Sequence, residues 1–101
     1  MSTKTSTQHA EELVTGDRQR AYGHPYDDFS RTAGAASAMG FRFQDAAGNV
    51  RELTARDVPI FMILVKLSRE VHQHQVDNVT DGIGYFRTLE MVVDREAELA
   101  K

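Results

Sequence analysis

"VPIFMILVKLSREVHQHQVDNVTDGIGYF", residues 58–86, carries most of the folding information in this chain. It joins an apolar run that ends in a lysine, a polar break, and a stretch where acids, glycines and a tyrosine recur. Ile60, Ile63, Leu64, Leu67 and Val71 recur at i, i+3, i+4, i+7 and i+11, the period of one helical face. Phe61, Met62 and Val65 make the first half apolar on other sides too, so the pattern predicts a helix buried from more than one direction. Pro59 suits only a first helical turn, which sets the start near Asp57 or Val58 and the end near His74. "HQHQVDN" reads as a turn. A last helix follows from about Asp77 to about Ala97, with Val79, Ile83, Phe86, Leu89, Val93 and Ala97 on one face. So short a connection predicts an antiparallel helix hairpin.

Upstream, residues 1–6 are small and polar and read as a flexible tail, leaving 7–101 as a single helical domain. "TQHAEELVT", residues 7–15, allows a short helix that Gly16 stops. The next helix is entered through His24-Pro25, with Asp27 and Asp28 in the first turn, where carboxylates complement the helix dipole. It runs through the small residues of "TAGAASAM" to Gly40. Residues 41–53 alternate apolar and polar around Gly48-Asn49 and predict a loop or a small β-ribbon. Thr54 and Asp57 resemble a capping box with Asp in the glutamate position. The fold class expected is therefore all-α, a small bundle of about four helices.

A chain of 101 residues is one domain, and so short a domain has difficulty burying its apolar surface alone, so a homo-oligomer is expected. A formal charge of −3 and dispersed basic residues give no support to sequence-specific nucleic-acid binding. Without cysteine there is neither a disulfide nor a thiolate metal site. The first residues lack the apolar core of a signal peptide, and Val58–Val65 is too short to span a bilayer. These features fit a cytoplasmic protein with no membrane partner.

Two polar stripes stand out. Asp77, Asp81, Gly84-Tyr85 and Thr88 share one side of the last helix, and Lys66, Arg69 and Gln73 share one side of the helix before it. Acids and cations on adjacent helices suit a metal-bound phosphate, because carboxylates take Mg²⁺ and cations take phosphate oxygens. Spacing alone favours a plainer reading: interhelical ion pairs on the side away from the apolar faces, worth little in water. Lys66 tilts the balance back, since a lysine closing so apolar a run either snorkels or is paired. His72 and His74 lack the i, i+4 spacing of a helical zinc site.

"GDRQRAYGHPYDDFSR", "LTARDVPIFMILVKLSRE" and "DNVTDGIGY", taken in order, resemble a group of short phage and prophage proteins. The shared elements are Gly16-Asp17-Arg18, Tyr22 to Pro25, Lys66 with Arg69, and Asp77-Asn78 with Asp81, Gly84 and Tyr85. That resemblance implies a phage-encoded protein in the host cell but brings no activity. The last two helices are also similar to the all-α nucleoside triphosphate pyrophosphohydrolases, the MazG-like proteins and dimeric dUTPases. That likeness keeps Glu70 and Asp81 of the family's Mg²⁺ carboxylates, with Asp77, or Asp27 and Asp28, to complete the set; the nucleotide would be held by Lys66, Arg69, Tyr85, Tyr22, His24 and Arg18. The expected function is nucleotide handling, as a pyrophosphohydrolase-like enzyme or a binder. The alternative is a non-catalytic phage factor that binds a host protein.

Overall fold

The structure, a computed structural model, describes residues 3–101. Five helices, α1 (Ser6–Thr15), α2 (Asp17–Tyr22), α3 (Pro25–Ala38), α4 (Asp57–His72) and α5 (Val76–Leu99), are interrupted by a two-stranded ribbon of β1 (Phe43–Gln44) and β2 (Val50–Arg51). The fold is all-α, as the periodicity indicates.

α1 starts one residue inside the stretch expected to be a tail. Thr5 and Gln8 form a reciprocal capping box: Gln8 N–H donates to Thr5 Oγ1 at 3.1 Å and Thr5 N–H donates to Gln8 Oε1 at 2.9 Å. Met1 and Ser2 of that expected tail lie outside the described residues. Gly16 ends α1, its N–H donating to Glu12 O at 2.9 Å. A Cβ at Gly16 would sit 2.6 Å from that same oxygen, so the tight corner needs glycine. The chain then re-enters a helix at once. α2 is the element the sequence pattern does not show: it has six residues and buries none of them, so no apolar period marks it.

His24 caps α3, its Nδ1 accepting from Tyr26 N–H at 3.0 Å, and Pro25 occupies the first turn. The ribbon pairs Phe43 with Arg51 and Gln44 with Val50. Asp45 ties its turn by accepting from the N–H groups of Ala47 and Asn49, each at 2.9 Å. The entry to α4 is held by Asp57, whose Oδ2 accepts from Thr54 N–H at 2.7 Å. Arg51 grips the same carboxylate with two hydrogen bonds of 2.7 and 2.9 Å.

α5 is the central helix, flanked by α1 and α4, with α3 lying against both α4 and α5. Three polar rungs tie the antiparallel α4–α5 hairpin: Arg56 to Glu96 at 2.7 Å, Lys66 to Asp81 at 3.0 Å, and Asn78 to Glu70 at 3.2 Å. α1 is tied to α5 by Arg87 and Glu11 at 3.0 Å, beside the close approach of Val14 to Gly84. Among the described residues no helix is long and apolar enough to cross a membrane.

The hairpin corrects the sequence analysis in one respect. Only Ile63 of the α4 stripe is buried, beside Pro59; Ile60, Leu64, Leu67 and Val71 are exposed. On α5 the buried residues are Asn78, Thr80, Gly84, Thr88 and Val92, whereas Val79 and Phe86 are exposed. Of the two polar stripes, Lys66, Asp81, Gly84, Tyr85 and Thr88 turn inward, whereas Arg69, Gln73 and Asp77 stay exposed. α1 packs on this side of α5, with Ala10 and Val14 against Gly84. The buried apolar set is consequently small: Ala10, Val14, Ala33, Ala55, Ile63 and Val92.

Candidate functional site

A pocket of about 140 Å³ opens between α1, α2, α3 and α5. Its inner wall is apolar, formed by Ala10, Leu13, Val14, Phe29 and Gly84. Arg18, Gln19, Asp28 and Asp81 supply polar groups, and Tyr22 and Tyr85 supply aromatic rings. Local folding explains the convergence. Arg18, Gln19 and Tyr22 arrive together because the corner at Gly16 redirects the chain into α2. Asp81, Gly84, Tyr85 and Thr88 line up because they repeat at helical spacing on α5. Gly84 lies against Val14 of α1; a Cβ there would meet Val14 Cγ2 at 3.5 Å, an ordinary contact distance.

Asp81 is the electrostatic hub. Its Oδ2 meets Lys66 Nζ at 3.0 Å, and its Oδ1 lies 3.9 Å from Arg18 Nη2. The Lys66 and Asp81 side chains are only 14% and 22% exposed, so this pair is much better shielded than the surface pairs elsewhere on the chain. The Arg18 contact is too long for a hydrogen bond, and Arg18 has no closer ionic partner among the described residues. Its guanidinium therefore holds donors at the pocket mouth that the fold does not use. Asp28 is drawn aside toward Arg31, 3.8 Å away.

Of the residues singled out from the sequence, Arg18, Tyr22, Tyr85 and Asp81 line the pocket, and Lys66 joins them through Asp81. The others go elsewhere. His24 is the α3 cap; burial, then the nearby Arg95, holds its imidazole below its usual range, as suits a ring nitrogen that accepts from an N–H. Arg69 lines a separate surface depression with His72 and Gln73. Asp77 lies exposed in the first turn of α5. Asp17 pairs with Arg20 in α2. Phe29 and Gln19 are pocket residues that sequence reasoning missed: Phe29 read as one more apolar helix position, and Gln19 belongs to the unmarked α2.

The expected Mg²⁺ set is not brought together. Glu70 binds the His74 ring and also accepts from Gln75 N–H at 3.1 Å and from the Asn78 amide at 3.2 Å. These bonds, that from His74 foremost, hold its carboxyl below the usual carboxylate range. Asp81 is neutralised by Lys66. Among the described residues no group of three or more His, Asp or Glu side chains is placed to hold a metal ion. Glu70, Asp77 and Asp81 of one chain are therefore not gathered into the three-carboxylate set expected from the sequence, and no step through such an ion is drawn from them.

The sequence model of a domain of unknown function, DUF6378, matches residues 6–93. The chain belongs to that family. The match runs from the first residue of α1 into the last third of α5, so it takes in every pocket residue of this DUF6378 domain. No curated protein and no solved structure matches the chain.

Proposed function

We propose that this DUF6378 domain binds a small anionic ligand carrying one flat ring, of which a nucleotide is the best fit. The observation that carries this is Arg18, a guanidinium with unused donors at the mouth of an apolar, aromatic-flanked pocket. A cavity of about 150 Å³ takes up a benzene-sized ring, and this pocket offers about 140 Å³. That volume suits one six-membered ring inside, with the rest of the ligand at the mouth. Tyr22 and Tyr85 supply stacking surface and phenolic hydroxyls for a base or sugar. A phosphate would take the fork of Arg18 away from Asp81, which remains neutralised by Lys66. Binding of this kind needs no divalent cation.

The test is calorimetric titration and thermal melting with pyrimidine and purine nucleoside mono- and triphosphates and with inorganic phosphate, each with and without Mg²⁺. Pyrimidine nucleotides are expected to bind best, through the ring and the phosphate together. Arg18→Ala should abolish that binding while leaving the unliganded melting temperature nearly unchanged, since Arg18 is half exposed. No shift with any nucleotide, or equal binding by Arg18→Ala, refutes the proposal.

A further inference from the structure

We infer that the Thr80 hydroxyl reads the polar edge of the bound ring, so that the pocket takes a nucleobase and discriminates against an aryl ring of the same size. This rests on the ligand reading given above, and adds to it the residue that decides which kind of ring enters.

The observation is a hydroxyl that the fold leaves unused. A threonine inside a helix ordinarily returns its hydroxyl to a carbonyl three or four residues back. Thr15 donates to Glu11 O at 2.7 Å, Thr32 to Asp28 O at 3.3 Å and Thr88 to Tyr85 O at 2.8 Å. Thr80 has the carbonyls of Val76 and Asp77 behind it in α5, yet its hydroxyl makes no hydrogen bond to any described residue. It is also only 3% exposed, so bulk water does not serve it as it serves a surface threonine. A buried hydroxyl without a partner is costly, and folded proteins hold few of them.

The place of Thr80 supplies the reason. Thr80, Gly84 and Thr88 step by four along α5 and share one line of the helix. Gly84 on that line meets Ala10 and Val14 of α1, so Thr80 lies one turn further toward α2, beside Asp81. All three residues line the pocket. Among the described residues no buried side-chain nitrogen or oxygen is both sealed from solvent and unpaired. The Thr80 oxygen therefore keeps a little open surface, and the space that Thr80 lines is the pocket. Thr88, the other buried threonine, has already given its hydrogen to Tyr85 O. Gln19 brings to the same pocket a side-chain amide that is likewise free of hydrogen bonds to the described residues.

The apolar wall of Ala10, Leu13, Val14 and Phe29 accepts any flat ring and does not tell one from another. A hydroxyl both donates and accepts, and so does an amide. The edge of a pyrimidine offers carbonyl oxygens and ring nitrogens that satisfy such groups. A phenyl edge offers only C–H and would bury them unpaired. A site built round a hydrogen bond rejects the analogue lacking it far more strongly than an apolar wall rejects a change of shape. The phosphate stays with Arg18, whose side chain is 47% exposed at the mouth, so ring and phosphate are read by different residues.

Calorimetric titration tests this with uridine and thymidine monophosphates and with nucleotides whose base is a difluorophenyl ring. The latter keep the sugar, the phosphate and the ring's shape but lose its hydrogen-bonding edge. The parent should prefer the natural bases by about tenfold or more. Thr80→Val keeps the side chain's shape without the hydroxyl. It should bind the natural bases about threefold to tenfold more weakly and the difluorophenyl nucleotides as the parent does. Its unliganded melting temperature should be equal or higher, because the fold loses no hydrogen bond. Undiminished binding of the natural bases by Thr80→Val, or no preference in the parent, overturns the inference and leaves the ring-and-phosphate reading standing. A fall of more than about 5 °C in the melting temperature of Thr80→Val means that the fold uses the hydroxyl, and overturns it as well. Arg18→Ala is the separating control, expected to lose natural and difluorophenyl nucleotides alike. Failure of every nucleotide to bind the parent overturns the ligand reading and this inference together.

Discussion

Asp81→Asn keeps the shape of the side chain but leaves Lys66 without a countercharge. The Lys66 side chain is 14% exposed, so water replaces the lost carboxylate only in part. Breaking a fully buried pair costs about 3–5 kcal/mol and an exposed one about 0–1. A pair shielded to this degree falls between those limits, at about 2 kcal/mol. For a domain of this size that lowers the melting temperature by about 10 °C. Urea unfolding followed by far-ultraviolet circular dichroism, at about pH 7 and about 0.15 M salt, measures the loss. A double-mutant cycle isolates the pair: Lys66→Met alone strands Asp81 beside the loose Arg18, whereas Lys66→Met with Asp81→Leu removes both charges and restores much of the loss. If Asp81→Asn costs less than about 0.5 kcal/mol, or the double variant is no better than the singles, the Lys66–Asp81 pair is not the shielded hub described above.

Other expectations follow from the local chemistry. His24 has a folded-state value below its ordinary 6.5, so the folded chain binds fewer protons than the unfolded one. Its stabilising effect is complete above that value and is lost as pH falls through the window beneath it. Melting temperature should therefore drop between about pH 7 and 5, and His24→Asn, which keeps a capping acceptor without titrating there, should flatten that drop. Gly34 lies within α3 with nothing near its missing side chain. Gly34→Ala should raise stability by about 0.5–1 kcal/mol in the same urea assay. Gly16→Ala, by contrast, forces a methyl to 2.6 Å from Glu12 O and should cost about 1–3 kcal/mol. Asp57 is held below the usual carboxylate range chiefly by Arg51, so its contribution is present above about pH 4 and is lost as pH falls through the lowered value. Arg51→Ala should reduce that acid-side loss in a pH series of unfolding curves.

Four of the five helices are legible in the sequence because caps and breakers mark their ends: Gly16, His24-Pro25, Gly40 and Pro59. α2 is not legible, because a six-residue helix between glycines carries no period to detect. The hairpin shows a different failure. The apolar period on Ile60, Leu64, Leu67 and Val71 is real, but period alone says that a face is apolar, not what covers it. In this chain α1 packs on the small-residue side of α5; Lys66, Asp81, Gly84, Tyr85 and Thr88 turn inward, and Leu64 and Leu67 turn outward. Part of the pocket was visible, since Arg18, Tyr22, Asp81 and Tyr85 stand in ordered motifs. His24 and Arg69 stand in the same motifs but serve a helix cap and a surface depression, because shared motif membership does not fix which way a side chain points.

The two corners around α2 have a consequence for how the pocket exchanges its contents. Six residues, none buried, hang between Gly16 and Gly23, the latter at φ +82°. They carry Arg18, Gln19 and Tyr22, much of one pocket wall. A segment with so few anchors opens locally at a small fraction of the cost of global unfolding. The amides of α2 should thus exchange with deuterium far faster than those of α5, and any occupant of the pocket should slow α2 selectively. Residence time at this site would then be governed by the fraying of one short helical turn and a half, while the hairpin beneath stays intact.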